Sequence, residues 1–377
     1  MSYLTYFDLV ESLITGSFGG PQDAEQRDIR TAIHKAYAEL TQIRDWAYYH
    51  VHGRVITDAP YGTGTVSSSG STVTLTGGTW PSWAGTGAYL KVGEEIAKVA
   101  SRTSGSVIVL DSTLGLRADV TGVGYTLYRS IYPLPSDFRN LDEPSSEYHW
   151  WSGLYVTPDQ AMKLQRVNNT SGSPLHWTVI KDPASSGWAI QLVGYPDRQE
   201  TIDFTYRRTA RPLRYSGHEP NSRAGTIART GATVTLTGAT TFDTGMAGSI
   251  LRIGTTANHP GPIESLTPWV SESVITSVDS TTQVTTADSG TVAGSTKYLI
   301  TDPIDVAPHM QQAMDSCCDY WLSRIRGRDV EKVFAMYQRD LRLAMEMDQL
   351  APISGRSDTI WHDGGWRSQL KPDQGTT

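Results

Sequence analysis

Apolar residues recur every three or four positions near the start of the chain, which is the spacing of an amphipathic helix. A first short helix is predicted after Thr5, a suitable N-cap, and Gly16 and Pro21 end it. A second helix is predicted from Asp23 to about Tyr49. The predicted apolar faces are Phe7, Val10, Leu13 and Ile14 in the first helix and Ile29, Ile33, Ala36, Tyr37, Leu40, Ile43 and Ala47 in the second.

The same spacing returns near the end of the chain, after Pro303 and Pro308. One helix is predicted up to Gly327, and another from Asp329 until just before Pro352. Each of the four helices has one apolar face to bury, so we expect residues 1–60 and 302–350 to form one helical bundle. The apolar positions of the last two helices are Val306, Met310, Ala313, Met314, Cys317, Trp321 and Ile325, followed by Val330, Val333, Phe334, Tyr337, Leu341, Ala344 and Met345.

Between the helical ends, apolar residues alternate with polar ones, and clusters of Pro, Gly, Asn and Ser separate the runs, which is typical of strands and turns. A central β region is predicted over residues 130–221, with strands within 130–141, 176–182, 187–196 and 200–213. The pattern therefore predicts a mixed α+β fold.

A repeated segment flanks this central region. Residues 64–79 align with residues 225–240 without a gap, and ten of the sixteen positions are identical, including TVTLTG in both. The match continues more loosely to a strand-like end at 125–129 in one copy and 298–302 in the other. We therefore predict two similar β-modules, residues 61–129 and 222–301, which are small sandwiches or barrels inserted into loops of an older scaffold.

Length and composition narrow the class of protein. A chain of 377 residues divides into more than one packing unit, and 38% hydrophobic residues with 35 glycines is a composition typical of turn-rich β-structure. The net charge of −7 opposes whole-surface attraction to nucleic acid. No basic residue precedes Arg27 and no apolar run approaches about 18 residues, so neither a signal peptide nor a membrane span is expected.

Sequence motifs for common enzyme chemistry are missing. The chain has no phosphate-binding Gly-Lys pair, no HExxH and no GxSxG, so we expect no enzyme, no cofactor and no metal site. His50 and His52 have a spacing that suits two metal ligands, but ordinary surface or packed histidines explain them better. An enzyme with a scattered carboxylate site, for example at Glu94 or Glu95, is the remaining alternative.

The adjacent Cys317 and Cys318 suit a soft metal or a redox sensor, although burial on a helix explains Cys317 more simply. Trp80 and Trp83 are similar to the aromatic platform of a sugar-binding domain, but the second module has no tryptophan at the matching positions.

Two groups of residues are candidates for binding partners. Arginines in the segment YRRTARPLRY are candidates for nucleic-acid or subunit contact. The segment 351–377 has no helical or strand periodicity yet contains large aromatic side chains, so we interpret it as an arm that docks on another protein, the alternative being an arm that folds back on its own scaffold. The candidate residues are Arg207, Arg208, Arg211 and Arg214 in the first group and Trp361, His362, Trp366 and Arg367 in the arm.

The order of these segments resembles the head-to-tail adaptor (head-completion or connector) proteins of tailed bacteriophages. The resemblance covers AIHKAYAELTQIRDW near the start, YPLPSDFRNL and IDFTYRRTARPL in the centre, and residues 307–348 near the end. It implies a bundle built from both chain ends, β-structure between them, and a C-terminal arm that inserts into the portal ring. The two β-modules depart from the compact members of that family.

The resemblance also implies a role and a location. Many copies would form a ring, dodecameric to match the portal, which joins the portal to the tail nozzle or tube and lets viral DNA pass through its centre. Such a protein is made in the host cytoplasm and ends in the neck of the virion. An alternative is a phage tail or receptor-binding protein whose β-modules bind host glycans.

Overall fold

A computed structural model describes most of the chain. Its described residues are 4–15, 23–141, 154–167, 171–172, 176–238, 240–263, 265–266 and 268–350. Within them the protein is a mixed α+β fold with several antiparallel sheets, as the hydrophobic pattern predicts. Contacts divide the chain into two compact units: unit 1 is Met1–Tyr48 with Ala210–Thr377, and unit 2 is Tyr49–Thr209.

The helices in the described part of the chain are α1 (Tyr6–Thr15), α2 (Asp23–Gln42), α3 (Pro158–Val167), α4 (Pro220–Arg223), α5 (Gln311–Ile325) and α6 (Glu331–Leu350). Strands before the central region are β1 (His50–Ile56), β2 (Thr65–Ser69), β3 (Thr72–Thr76), β4 (Ala88–Val92), β5 (Glu95–Arg102), β6 (Val107–Leu110) and β7 (Thr126–Arg129). Those that follow are β8 (Ile131–Pro133), β9 (Phe138–Leu141), β10 (Leu154–Tyr155), β11 (His176–Lys181), β12 (Trp188–Val193), β13 (Thr201–Arg208), β14 (Thr226–Thr237), β15 (Ile250–Ile253), β16 (Ser271–Ser280), β17 (Gln283–Thr296) and β18 (Tyr298–Thr301).

Helix α1 begins with reciprocal capping, as the N-cap prediction at Thr5 requires. The Asp8 amide donates to the Thr5 hydroxyl at 3.3 Å, and the Thr5 amide donates to the Asp8 carboxylate at 3.0 Å. The Thr5 hydroxyl also donates to that carboxylate at 2.7 Å. Two backbone donors at the start of the helix are therefore satisfied by one Thr-Asp pair.

Helix α2 ends earlier than predicted. It stops at Gln42, and a short 3-10 turn over Ala47–Tyr49 replaces the last predicted turns. The buried Trp46 indole folds back and donates to the Leu40 carbonyl at 2.7 Å, which satisfies one of the free carbonyls at the helix end. Ile43 consequently lies 45% exposed, so its predicted place on the buried face was wrong.

Helices from the two ends of the chain pack together in unit 1. Helix α2 contacts α5, and α5 contacts α6. The Cys317 thiol lies 4.0 Å from the Ala36 carbonyl, which places α5 directly against α2. The buried residues of these helices include Ile29, Ala32, Ile33, Ala36, Leu40, Ala313, Met314, Cys317, Cys318, Tyr337 and Ala344.

Unit 1 also contains a five-stranded antiparallel sheet in the order β14-β17-β16-β15-β18. Its core includes Val234 and Leu236 of β14, with Leu251 of β15 and Ile300 of β18. Unit 2 contains a six-stranded sheet in the order β2-β3-β6-β5-β4-β7. Isolated bridges pair Tyr61 with Leu127 and Val66 with Val123, so the segment around β2 also contacts the chain at and before β7.

The five-stranded and six-stranded sheets have the same strand order if the long strand β14 corresponds to β2 and β3 joined end to end. Strands β17, β16, β15 and β18 then correspond to β6, β5, β4 and β7. Identical glycines adopt positive φ at the same points of both segments: Gly64 and Gly225 at +86° and +88°, and Gly70 and Gly231 at +57° and +63°. Such backbone angles favour glycine, because it has no Cβ. The identical glycines of the sequence repeat are therefore turn residues.

Unit 2 also contains two smaller sheets, ordered β1-β13-β9 and β10-β11-β12-β8. Their facing side chains form one apolar cluster that includes Ile202 and Phe204 from the first sheet and Trp177 and Leu192 from the second. Helix α3 lies against β11 and β12, and it corrects the expectation that this region is only strand and turn. No helix within the described ranges is both long and apolar enough to cross a bilayer.

Candidate assembly surfaces

Helix α6 precedes the predicted docking arm, and its outer face is the first candidate surface. Met336, Leu343 and Met347 are 51%, 47% and 55% exposed. They are spaced seven and four positions apart, so they align on one side of the helix. We name these three residues the α6 stripe. The predicted arm residues Trp361, His362, Trp366 and Arg367 lie outside the described residues.

The inner face of α6 is fixed by polar contacts to α2 and α5. Glu39 of α2 accepts hydrogen bonds from the Trp321 indole at 2.7 Å and from the Tyr337 hydroxyl at 3.1 Å. Burial, with the nearby Cys317 and Glu39, raises the pKa of Tyr337 far above its usual range, so this hydroxyl remains a donor. The Glu39 carboxylate accepts from the Trp321 indole N–H and the Tyr337 hydroxyl, and these two hydrogen bonds fix the rotation of α6 about its axis.

A second carboxylate holds the far end of α6. Asp348 is buried and accepts from the Ala47 amide at 3.2 Å, while the Arg44 side chain lies 3.9 Å from it. With the inner face fixed at Tyr337 and Asp348, the α6 stripe must point away from the packed helices. The sequence prediction instead placed Phe334 on the buried face, yet its side chain is 39% exposed.

A long loop between β15 and β16 is the second candidate surface. We name the described residues of the segment 259–270, which leave out 264 and 267, the apolar loop. Leu266 is fully exposed, and Val270 and Ile263 are 69% and 44% exposed. The loop is fixed by backbone contacts, since the Gly261 amide donates to the Pro268 carbonyl at 2.6 Å and the Val270 amide donates to Ile253 at 2.7 Å. Backbone hydrogen bonds therefore hold both ends of the loop, and its described apolar side chains are exposed.

A fully buried arginine anchors this loop. Arg252 of β15 donates to both oxygens of Asp8 at 2.7 and 2.8 Å and to Glu272 at 2.9 Å. Its guanidinium lies 3.9 Å from the ring centroid of Trp269 in the loop, and Asp8 also accepts from the Ile263 amide at 2.9 Å. One buried ionic group thus ties α1, β15 and the apolar loop together.

His259 makes a further anchor at the start of the loop. Its Nδ1 lies 3.1 Å from the Tyr298 carbonyl, which requires the proton on Nδ1 for a hydrogen bond. Burial lowers the pKa of this imidazole, and the positive charges of Arg223 and Lys297 act in the same direction. The neutral ring is therefore the form that the fold favours.

The four candidate arginines do not form one patch on one unit. Arg207 and Arg208 are in β13 of unit 2, where Arg207 is buried and Arg208 lies over the Tyr49 ring at 5.3 Å. Arg211 of unit 1 donates to Asp302 at 3.1 Å and to the Ala247 carbonyl at 2.9 Å. Arg214 is exposed. Contact with DNA or another subunit by these residues stays a prediction, and Arg214 is the most accessible of them.

The tryptophans and cysteines that the sequence analysis singled out are buried or packed against a core. Trp80 is 1% exposed in the core of the six-stranded sheet and Trp83 packs against that core, so Trp80 has no face for a sugar. Cys317 and Cys318 are buried, and burial raises the pKa of Cys317 to about 12. No three His, Cys, Asp or Glu side chains of the described residues come together as metal ligands would.

We compared the chain with models of protein families, with curated proteins and with solved structures, and none of the three comparisons found a match.

Proposed function

We propose that this chain is a structural protein of a tailed-bacteriophage virion, the head-to-tail adaptor that docks on the portal and connects it to the tail. Many copies form a ring, dodecameric to match the portal, with DNA passing through the centre. In this proposal α1, α2, α5 and α6 belong to one bundle from both chain ends, and the arm 351–377 inserts into the portal.

The packing of α2 against α5 and α6 is the observation that carries the proposal. Glu39 from the first part of the chain accepts from Trp321 and Tyr337 near its end. This arrangement is what the resemblance to adaptor proteins implies, and α6 leads directly to the arm. A helix held rigidly on its inner face is a suitable base for an arm that must reach a partner.

Charge is consistent with a channel that lets DNA slide. Residues 1–60 contain five Lys and Arg against eight Asp and Glu, and residues 302–350 contain six against nine. Strong attraction between the bundle and phosphate would slow DNA passage, and this composition does not supply it. The sheets β2–β7 and β14–β18 are, in this proposal, two inserted copies of one module that contact neighbouring proteins instead of DNA. The alternative of glycan-binding modules loses its main support, because Trp80 is buried.

Binding to the cognate portal protein tests the proposal. The full chain, a version ending at residue 350, and the double variant W361A/W366A would each be titrated onto purified portal rings. Loss of large aromatic anchors costs about 2 kcal/mol or more at an interface hot spot, so both altered chains are expected to bind at least tenfold more weakly.

The double variant S368A/Q369A is the matched control within the arm and is expected to bind like the unaltered chain. Undiminished portal binding by the truncated chain would remove the docking arm from the proposal. Absence of any binding by the full chain would remove the adaptor function itself.

A further inference from the structure

Three basic side chains lie at the base of the apolar loop without an acidic partner. They are His259 at the start of the loop, Lys297 between β17 and β18, and Arg223 at the end of α4. All three are partly exposed, and none forms an ion pair with a residue that the structure describes. Like charges repel one another at short range, so a bound anion would stabilise this arrangement.

Tyr298 brings the three residues together. It follows Lys297 in the chain, and its carbonyl oxygen lies 3.1 Å from Nδ1 of His259. Its hydroxyl donates at 2.8 Å to the carbonyl of Ala224, which follows Arg223. Lys297 also forms two backbone hydrogen bonds of 2.9 Å with the segment that links β15 to the apolar loop.

Electrostatics agrees with this geometry. Burial lowers the pKa of the His259 imidazole, and the positive charges of Arg223 and Lys297 lower it further. The two cations are therefore close enough to act on the imidazole from two different segments of the chain.

The first β-module lacks all three basic groups. In the alignment of the two copies, Gly62 stands at the position of Arg223 and Gly124 at that of Lys297. A two-residue turn joins β4 to β5, whereas a long loop joins the corresponding strands β15 and β16, so His259 has no counterpart either. The shared strand order of the two sheets therefore does not require the basic cluster.

We propose that His259, Lys297 and Arg223 bind a phosphate group. An arginine guanidinium can donate two parallel hydrogen bonds to such a group, and a lysine ammonium adds a charged donor. A phosphate group carries more charge and more acceptor oxygens than a carboxylate, so basic side chains from three segments suit it better. The site goes beyond the proposed adaptor function and does not depend on it.

His259 couples this site to pH. With Nδ1 donating to the Tyr298 carbonyl, Nε2 of the neutral ring is an acceptor, whereas the protonated ring also has a donor there. A bound anion therefore favours protonation of His259, and protonation favours the anion in return. We expect a dianion to bind more tightly at about pH 5.5 than at about pH 7.5.

Calorimetric titration of the full chain with inorganic phosphate tests the site, with sodium chloride of equal ionic strength as the reference. The double variant R223Q/K297Q is expected to bind phosphate about tenfold more weakly or less, because two charged donors are lost. The double variant K91Q/R117Q removes the same charge from the first module and is expected to bind like the unaltered chain. Lys297→Arg keeps the charge and is expected to retain binding.

Sulfate isolates the contribution of His259, because it keeps two negative charges over this range of pH. Nuclear magnetic resonance of the imidazole is expected to show that sulfate raises the pKa of His259. His259→Asn is expected to bind sulfate with equal affinity at both pH values. An imidazole whose titration does not respond to sulfate would remove His259 from the site.

A short DNA duplex distinguishes the two sources of phosphate once inorganic phosphate is found to bind. Weaker DNA binding by R223Q/K297Q, but not by K91Q/R117Q, assigns the site to a phosphate of DNA, and absence of DNA binding assigns it to free phosphate. Inorganic phosphate that does not bind, or that binds R223Q/K297Q as tightly as the unaltered chain, overturns the site. Equal losses in both double variants overturn it as well, because they show only general attraction to positive charge. Portal binding is measured separately, so its outcome does not decide this one.

Discussion

Arg252 is a fully buried arginine whose charge is matched by Asp8 and Glu272. Replacement by methionine keeps most of its volume but leaves two carboxylates buried without their partner. We expect Arg252→Met to lower the free energy of unfolding by roughly 3–5 kcal/mol, measured by denaturant unfolding.

The exposed pair of Arg54 and Asp203 is the matched control. Arg54 donates to both oxygens of Asp203, at 2.6 and 3.2 Å, but its side chain is 64% exposed. We expect Arg54→Met to change stability very little, since solvent screens exposed pairs. Equal losses in the two variants would show that the buried ionic group does not anchor the fold as described.

The pH dependence of His259 can be measured in the same way. Its pKa is lowered in the folded protein, so the unfolded chain takes up a proton first as the pH falls through about 6.5. The stability contribution is therefore present at pH 7.5 and is lost progressively below about 6.5. His259→Asn keeps a donor near the Nδ1 position but does not titrate, so its unfolding free energy should fall less between pH 7.5 and 5.5. Parallel pH profiles would contradict this role for His259.

Single residues show what the sequence could predict at this scale. Thr5 was predictable as an N-cap, because its hydroxyl acts on the amide three positions away. The partners of Arg252 were not predictable, because Asp8 lies 244 positions from it and nothing local marks the pairing. The same holds for Glu39, whose two donors come from helices near the other end of the chain.

Among the secondary-structure elements, turn glycines set the backbone geometry of the hairpins in the two similar sheets. Gly64 and Gly70 both have positive φ, but a Cβ on Gly64 would lie 2.2 Å from the Thr76 carbonyl oxygen, whereas a Cβ on Gly70 would meet nothing within 4 Å. We expect Gly70→Ala to cost about 1–2 kcal/mol from the left-handed backbone alone.

Gly64→Ala must displace the backbone of β3 in addition, so its loss of stability is expected to be clearly larger. Thermal unfolding of the two variants, compared with the unaltered chain, measures the difference. If Gly70→Ala were the more damaging change, the turn geometry described for this hairpin would be wrong.

Elements were predictable where the signal was local. The periodicity gave α1, α5 and most of the strands of the central region, and Gly327 with φ of +63° follows α5 as predicted. Helix α3 was missed although its start carries a capping signal: the Thr157 and Gln160 side chains each lie within hydrogen-bonding distance of the other residue's amide, at 3.4 and 3.2 Å. The early end of α2 was not predictable, because the Trp46 indole that caps it acts through tertiary packing.

The exposed surfaces of unit 1 were also only partly predictable. The pattern identified one apolar face of α6 for packing, but the α6 stripe escaped notice because its methionines and leucine lie outside that face. The apolar loop was visible only as extra length in the second copy of the repeat, since exposure cannot be read from sequence. The prediction of a docking arm rests on the aromatic residues of segment 351–377 alone, and it stays a prediction.

At the scale of the whole molecule, the first and last parts of the chain fold together in unit 1, and we propose that its copies assemble as a ring on the portal. A ring with many more than three copies distinguishes the proposed adaptor from a tail or receptor-binding protein, since such proteins are commonly trimers. The number of copies is therefore more informative than any single substitution.

Native mass measurement of the purified chain with its portal tests this most directly. We expect a complex in which each portal subunit is matched by one copy of this chain, with a dodecameric ring on a dodecameric portal. A chain that forms a trimer and adds no mass to the portal ring would contradict it.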